Sequence, residues 1–185
     1  MMREQVSISV PGILKYSHFV SDTGELLFRE RINFYADDLL QHFLQDMQII
    51  MYELFANAFY HSKSDSITVE FELEDEWVNV TIKTNNIGFG VKPFDSDTAM
   101  YPPYPKAIID TGVVVYKDHQ NQVICNVEGP FRVSFENKRH PMQRINVEDL
   151  PEHYGMNLIT KFSHQSFYYR DETGTDCFVV KRKIR

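Results

Sequence analysis

Glu53, Asn57 and His61 recur at every fourth position within the stretch 51–61, MYELFANAFYH. On an α-helix, at about 100° per residue, this spacing keeps a carboxylate, an amide and an imidazole on one narrow stripe. Leu40, Phe43, Met47, Ile50, Met51, Leu54 and Ala58 follow the three-four spacing of a core face, set roughly 100° around the helix from that stripe. The three polar side chains therefore sit at the edge of the core, where they can meet a ligand together without being fully buried. The same triplet also fits a plain solvated flank, so the motifs on its C-terminal side carry weight.

Three further stretches offer ligand chemistry. Gly88 and Gly90, in Thr84-Asn85-Asn86-Ile87-Gly88-Phe89-Gly90, permit positive φ and close approach to the backbone, although a GxG is also found in ordinary turns. Gly155 opens the run HYGMNLITKFSHQ, a short predicted helix whose first-turn amides could hold an anion. Lys138, Arg139, His140 and Arg144 form the most basic part of the chain, which reads first as a solvated loop and second as a phosphate contact.

The elements that must position these residues are set by periodicity. Residues 6–10, VSISV, alternate and stop at Pro11-Gly12, predicting a first strand. Residues 13–35 are interrupted by the turn-rich tetrad Ser21-Asp22-Thr23-Gly24, which predicts two short helices, or a broken helix and a hairpin. Asp37 or Asp38 can cap a long helix running to about His61. ITVEFEL and WVNVTIK then place Ile67, Val69, Phe71 and Leu73 and Val78, Val80 and Ile82 on one side of a hairpin. Residues 91–152 differ in character: PFDSDTAMYPPYPK predicts an irregular loop, TGVVVYKDHQNQVICNVEG a hairpin turning at Asp118 to Asn121, and PFRVSFEN a further strand. SFYYRDETGTDCFVVKRKI predicts two closing strands joined at Asp171 to Gly174. The order implies a single α+β domain over 1–185, a two-layer sandwich with helices on one face of a mixed, mostly antiparallel sheet.

A hydrophobic content of 43% predicts a globular chain rather than a disordered one. The net charge of −7 argues against general nucleic-acid or anionic-membrane binding. No apolar run is long enough for a signal peptide or a membrane span, so a cytoplasmic location is expected. Cys125 and Cys177 form no CxxC pair, and His18, His42, His119, His140 and His164 show no paired-ligand spacing, so neither a disulfide framework nor a His/Cys metal site is expected.

In this order the motifs resemble those of the histidine-kinase-like ATPases, the two-layer nucleotide-binding domains of gyrase and the sensor kinases. The nearest likeness is to the small bacterial anti-sigma-factor serine/threonine kinases. The residues that carry it are Glu53-Leu54, Asn57-Ala58 and His61, then Gly88 and Gly90, then Gly155-Met156, then Gly174-Thr175, across about two thirds of the chain. The resemblance implies a Bergerat-type ATP-binding fold with a β-rich insertion, at about 91–152, in the lid region. It implies ATP and Mg²⁺ as cofactors, with the Asn57 side-chain oxygen on the metal and Glu53 as catalytic base for an attacking hydroxyl or water. Gly88 and Gly90 would pass under the adenine and ribose, Gly155 and Met156 would open the phosphate-binding helix end, and His61 and Thr175 would also face the nucleotide. The implied partners are a sigma factor or an anti-sigma antagonist, with homodimerisation a further implication.

The chain departs from the family pattern at three places. Asn86 stands where the family has an Asp that accepts from the adenine amino group, and a neutral acceptor is weaker than a charged one. Asn157 comes directly after Gly155-Met156, where its side chain is expected to crowd a phosphate. About sixty residues separate the glycine motifs, so the insertion is either an enlarged lid supplying Arg139 or Arg144 to the γ-phosphate or a partner-binding surface. These departures leave a second function open beside the regulatory kinase: a catalytically degenerate module on the same fold, binding proteins with little or no ATP affinity.

Overall fold

In the computed structural model, residues 4–32, 37–62, 64–74, 76–85, 88–139 and 154–184 are described. Strand β1 (Glu4–Pro11) leads into helix α1 (Tyr16–Arg31) and the long helix α2 (Asp37–Ser62). The hairpin β2 (Ser66–Glu74) and β3 (Trp77–Thr84) comes next. After a loop come β4 (Gly112–Lys117), β5 (Asn121–Gly129) and β6 (Arg132–Arg139), then helix α3 (Tyr154–Phe162) and the closing strands β7 (Gln165–Arg170) and β8 (Asp176–Lys183). Among the described residues the strands form one eight-stranded sheet in the order β1-β2-β3-β8-β7-β6-β5-β4.

Every strand pairing in that sheet is antiparallel, which corrects the expectation of a mixed one. Four of the seven pairs join strands consecutive in the chain across short turns, a connection that only antiparallel neighbours allow. Residues 112–139 therefore extend the sheet itself: β6 pairs with β7, and β5 and β4 continue outward from it. The hairpin β4–β5 turns where its sequence predicts, with the Asp118 amide donating to the Asn121 carbonyl at 2.9 Å.

Cross-strand partners share a face, and this makes the sheet amphipathic. Val69, Ile82, Phe178, Tyr168, Val133 and Val127 form one continuous row across β2, β3, β8, β7, β6 and β5. All three helices cover that face. Gly24 of α1 lies against Phe71, Asp46 of α2 pairs with Arg182 at 2.5 Å, and Asn157 of α3 accepts from the Asn137 amide at 2.8 Å. The opposite face carries polar pairs such as Lys83–Glu70 at 2.7 Å and Ser9–Thr68 at 2.7 Å, as suits a sheet side turned to water.

Helix α1 runs unbroken through Ser21-Asp22-Thr23-Gly24, where the sequence predicts an interruption. Two local details remove the conflict. The Thr23 hydroxyl donates back to the Phe19 carbonyl at 2.8 Å, and the missing side chain of Gly24 lets α1 close onto Met51 and Phe71. The junction is filled by Phe28, fully buried and edge-on to both Phe43 and Phe71 at 5.9 Å between ring centroids. Helix α2 ends one residue past His61, and both Asp37 and Asp38 lie in its first turn. Met47, Ile50, Met51, Leu54 and Phe55 are buried along it, so α2 is the central strut on which α1 and α3 pack.

Candidate functional site

The polar stripe of α2 ends beside a cavity of about 590 Å³, within the size range of small-molecule sites. Helix α2 contributes Asn57 and His61 to its wall, and α3 contributes Gly155 and Met156. Gly88 and Gly90 lie along another edge, while Ile82, Thr84 and Phe178 form the sheet-side floor. Stretches far apart in the chain are thus brought to one space, with the helix layer on one side and the sheet on the other.

Glu53 lies one turn before Asn57, against the start of α3. A Cβ on Gly155 would come within 2.5 Å of Glu53 Oε2 and 3.6 Å of Asn57 Nδ2, so only glycine lets α3 begin this close to both side chains. The Glu53 carboxylate is half-buried, and burial raises its pKa above the ordinary value. Desolvation penalises its charged form and so gives it a stronger pull on a proton than an exposed glutamate has. His61, one turn beyond Asn57, is exposed at the rim.

Gly88 has φ +103°, a conformation that a side chain would strain. The glycine turn is covered by the chain itself. A Cβ on Gly88 would strike the Pro102 ring, and one on Gly90 would stand 3.0 Å from a ring carbon of Tyr101. Residues 91–104 fold back as a strap, closed by the paired backbones of Val91 and Met100 and anchored where buried Tyr104 donates to the Phe89 carbonyl at 2.8 Å. Phe89 points into an aromatic cluster, 5.3 Å from Phe135 and 5.6 Å from Tyr168 between ring centroids, which holds the turn down on the sheet. Lys92, Ala99 and Tyr101 of the strap complete the cavity wall.

Thr175 is not among the lining residues. Its amide donates to Asp171 Oδ1 at 2.9 Å and its hydroxyl bonds Thr173 at 2.9 Å, so it closes the β7–β8 turn. Its neighbour Asp176 lines the cavity instead, buried and accepting from the Tyr168 hydroxyl at 2.6 Å. The alternation of β8, with Phe178 and Val180 inward, already places Asp176 on that face, and this is the signal that the motif match passes over. Asn157 does not crowd the cavity: its oxygen accepts from Asn137 at 2.8 Å, and it lies outside the lining. Arg139 is exposed at the end of β6 and also outside the lining, while Asn86, His140 and Arg144 lie outside the described residues.

Among the described residues no group of three or more His, Cys, Asp or Glu is placed to hold a metal. The donor set at Glu53 and Asn57, one carboxylate and one amide oxygen, suits a hard cation that takes its remaining oxygens from a ligand and water, the usual habit of Mg²⁺. Both cysteines are buried, and burial pushes the Cys125 thiol up to about 12, which keeps it protonated and inert. No described helix is long and apolar enough to cross a membrane. No family model matches the chain, and no curated protein matches it.

Proposed function

We propose that the chain is an ATP-binding regulatory protein with the histidine-kinase-like ATPase architecture, one that phosphorylates a serine or threonine of a protein partner in the manner of the anti-sigma-factor kinases. One observation carries this reading: a single cavity gathers Asn57, His61, Gly88, Gly90, Gly155 and Met156, from three of the four motifs on which the resemblance rests. The apolar floor of Ile82 and Phe178 suits a flat ring, and the first turn of α3 suits a phosphate. Glu53, raised in pKa by burial, would take the proton of the attacking hydroxyl. Mg²⁺ held with help from Asn57 would supply charge neutralisation on the phosphates. A sigma factor or an anti-sigma antagonist fits as partner by the same resemblance, as does self-association into a dimer.

Calorimetric titration with ATP, with and without Mg²⁺, on the wild type and Asn57→Ala, tests the proposal. Magnesium-dependent binding that is lost in the variant is the expected result. One observation favours a second reading, a protein-binding module that has lost its nucleotide: Tyr101 and Pro102 occupy the space that Gly88 and Gly90 leave open. No detectable heat, with a melting temperature unmoved by millimolar ATP, would select that reading, since a bound ligand must stabilise the fold.

A further inference from the structure

The free end of the sheet at β1 bears on what the protein assembles with, and nothing in it depends on the cavity. Among the described residues β1 and β4 are the two edges of the sheet, and they are built differently. Strand β4 is six residues long, carries a register shift between Val114 and Tyr116, and has its Val114 carbonyl taken by the Phe94 amide of the strap at 2.7 Å. Shortness, irregularity and a covering loop are the usual means of keeping an edge from pairing with another chain. Strand β1 has none of them. It matches β2 residue for residue over Glu4–Pro11, and its stretch from Gln5 to Val10 contains no charge, proline or glycine.

The register shows which backbone groups are open. The Gly12 amide donates to the Asp65 carbonyl at 2.9 Å, one step beyond the Pro11–Ser66 pair. In an antiparallel ladder every second residue bonds the same neighbour, so Val10, Ile8, Val6 and Glu4 bond β2. The N–H and C=O groups of Gln5, Ser7 and Ser9 therefore point away from the sheet, and no other described backbone group bonds them. Pro11 falls in the same outward set, where its missing N–H costs nothing.

Above the edge lies an apolar flank of α1. Helix α1 meets α2 through Gly24, Phe28 and the bond from Arg29 to Gln41 at 3.4 Å. Phe19 and Leu26, seven residues apart and so on one side of the helix, are turned away from α2 and stand 53% and 63% exposed. Arg31 of α1 pairs with Glu4 of β1 at 2.9 Å, so this flank overhangs the free edge, beside half-buried Val6 and Ile8.

We propose that β1 is the seam of a homodimer: it pairs antiparallel with β1 of a second copy about a two-fold axis at Ser7, joining the two sheets, with Phe19 and Leu26 of both α1 helices closing over the join. In that register Ser7 faces the partner's Ser7 and Gln5 the partner's Ser9, so each open N–H and C=O meets its complement. Val6 meets the partner's Ile8 on the helix side and Glu4 meets the partner's Val10, so no like charges stand opposite each other. Strands about 4.8 Å apart, with α1 set over β1 and β2, bring the two α1 axes to roughly 10 Å, the ordinary spacing of packed helices. This self-complementarity favours a second copy over an unrelated strand, and the closed β4 edge stops growth at the dimer.

The test is the mass of the full chain in solution by sedimentation equilibrium, with hydrogen exchange read residue by residue. Wild type is expected to be a dimer in which the Gln5, Ser7 and Ser9 amides are protected and lose that protection on dilution. Ser7→Pro removes only an outward N–H, so β1 still pairs with β2 while dimerisation should weaken by about 10- to 100-fold. Leu26→Glu, at an exposed position of the single chain, should weaken it comparably, and it answers the same question should Ser7→Pro not fold. A wild type that stays monomeric at its highest soluble concentration overturns the inference and leaves the edge to a strand of another protein. A dimer that either folded variant leaves intact, or whose Ser7 amide exchanges freely, overturns it by placing the contact elsewhere. None of these results touches the nucleotide reading, which calorimetry decides separately.

Discussion

Replacing Gly24 by alanine sets two effects of opposite sign against each other, and the structure decides between them. In an open helix the change gains about 0.8–1 kcal/mol, because alanine loses less backbone entropy. In α1 the new methyl would stand 2.5 Å from Met51 Sδ, 2.9 Å from Phe71 Cε1 and 3.2 Å from Met51 Cε. Met51 can turn aside, but Phe71 is a strand residue wedged edge-on against Phe28 at 5.9 Å and has nowhere to go. Overpacking of this kind costs about 1–3 kcal/mol, so the net effect is a loss of up to about 2 kcal/mol despite the better helix former. Urea unfolding should show a lower midpoint at an unchanged slope, and in a chain of this size each kcal/mol lowers the melting temperature by about 2–4 °C. The partner variant sharpens the test. Met51→Ala alone should cost about 2–5 kcal/mol, but together with Gly24→Ala it should cost less than the sum, since the new methyl enters the space left by the thioether. A gain of about 1 kcal/mol for Gly24→Ala, or additivity of the pair within about 0.5 kcal/mol, would refute the close packing of α1 on α2 and β2.

Two further perturbations address the cavity. Gly155→Ala would put a methyl 2.5 Å from Glu53 Oε2, where ordinary contact begins at 3.4 Å. The flexible carboxylate should retreat by roughly an ångström, lowering phosphotransfer by about 100-fold; undiminished transfer would remove Glu53 from the chemistry. Glu53→Gln tests the burial of that carboxylate. Its folded pKa is raised by desolvation, so its favourable contribution to stability is present at low pH and is lost as pH rises through the raised value. The glutamine variant should therefore melt higher than wild type at pH 7 and no higher below about pH 4, as paired thermal scans would show. A variant that melts lower at pH 7 would mean that the ionised carboxylate is stabilised by its surroundings.

Much of the scaffold is legible in the residues. The three-four spacing from Phe43 to Leu54 marks the buried face of α2, and the alternation of Ile67, Val69 and Phe71 against Val78, Val80 and Ile82 marks a hairpin with one buried side. Chain order alone likewise carries the β4–β5 turn at Asp118 and the closing pair β7–β8. The reading stops where a residue's role depends on something distant in sequence. Thr23 and Gly24 look like a helix break, and become helix because Met51 and Phe71 supply a surface that needs the glycine's bare backbone. Gly88 and Gly90 invite a ligand by type, and receive Pro102 and Tyr101 of their own strap.

The site divides along the same line. Residue types and local periods determine that Glu53, Asn57 and His61 share a stripe, and that Asp176, Phe178 and Val180 share a strand face, because helix and strand repeats are set by backbone geometry within a few residues. Which stripe meets which face is another matter. The sheet order that puts β8 between β3 and β7 and the start of α3 against Glu53 both arise from packing between distant elements. That packing is decided by which apolar faces can be buried together at once, a condition on the whole chain that no local period contains.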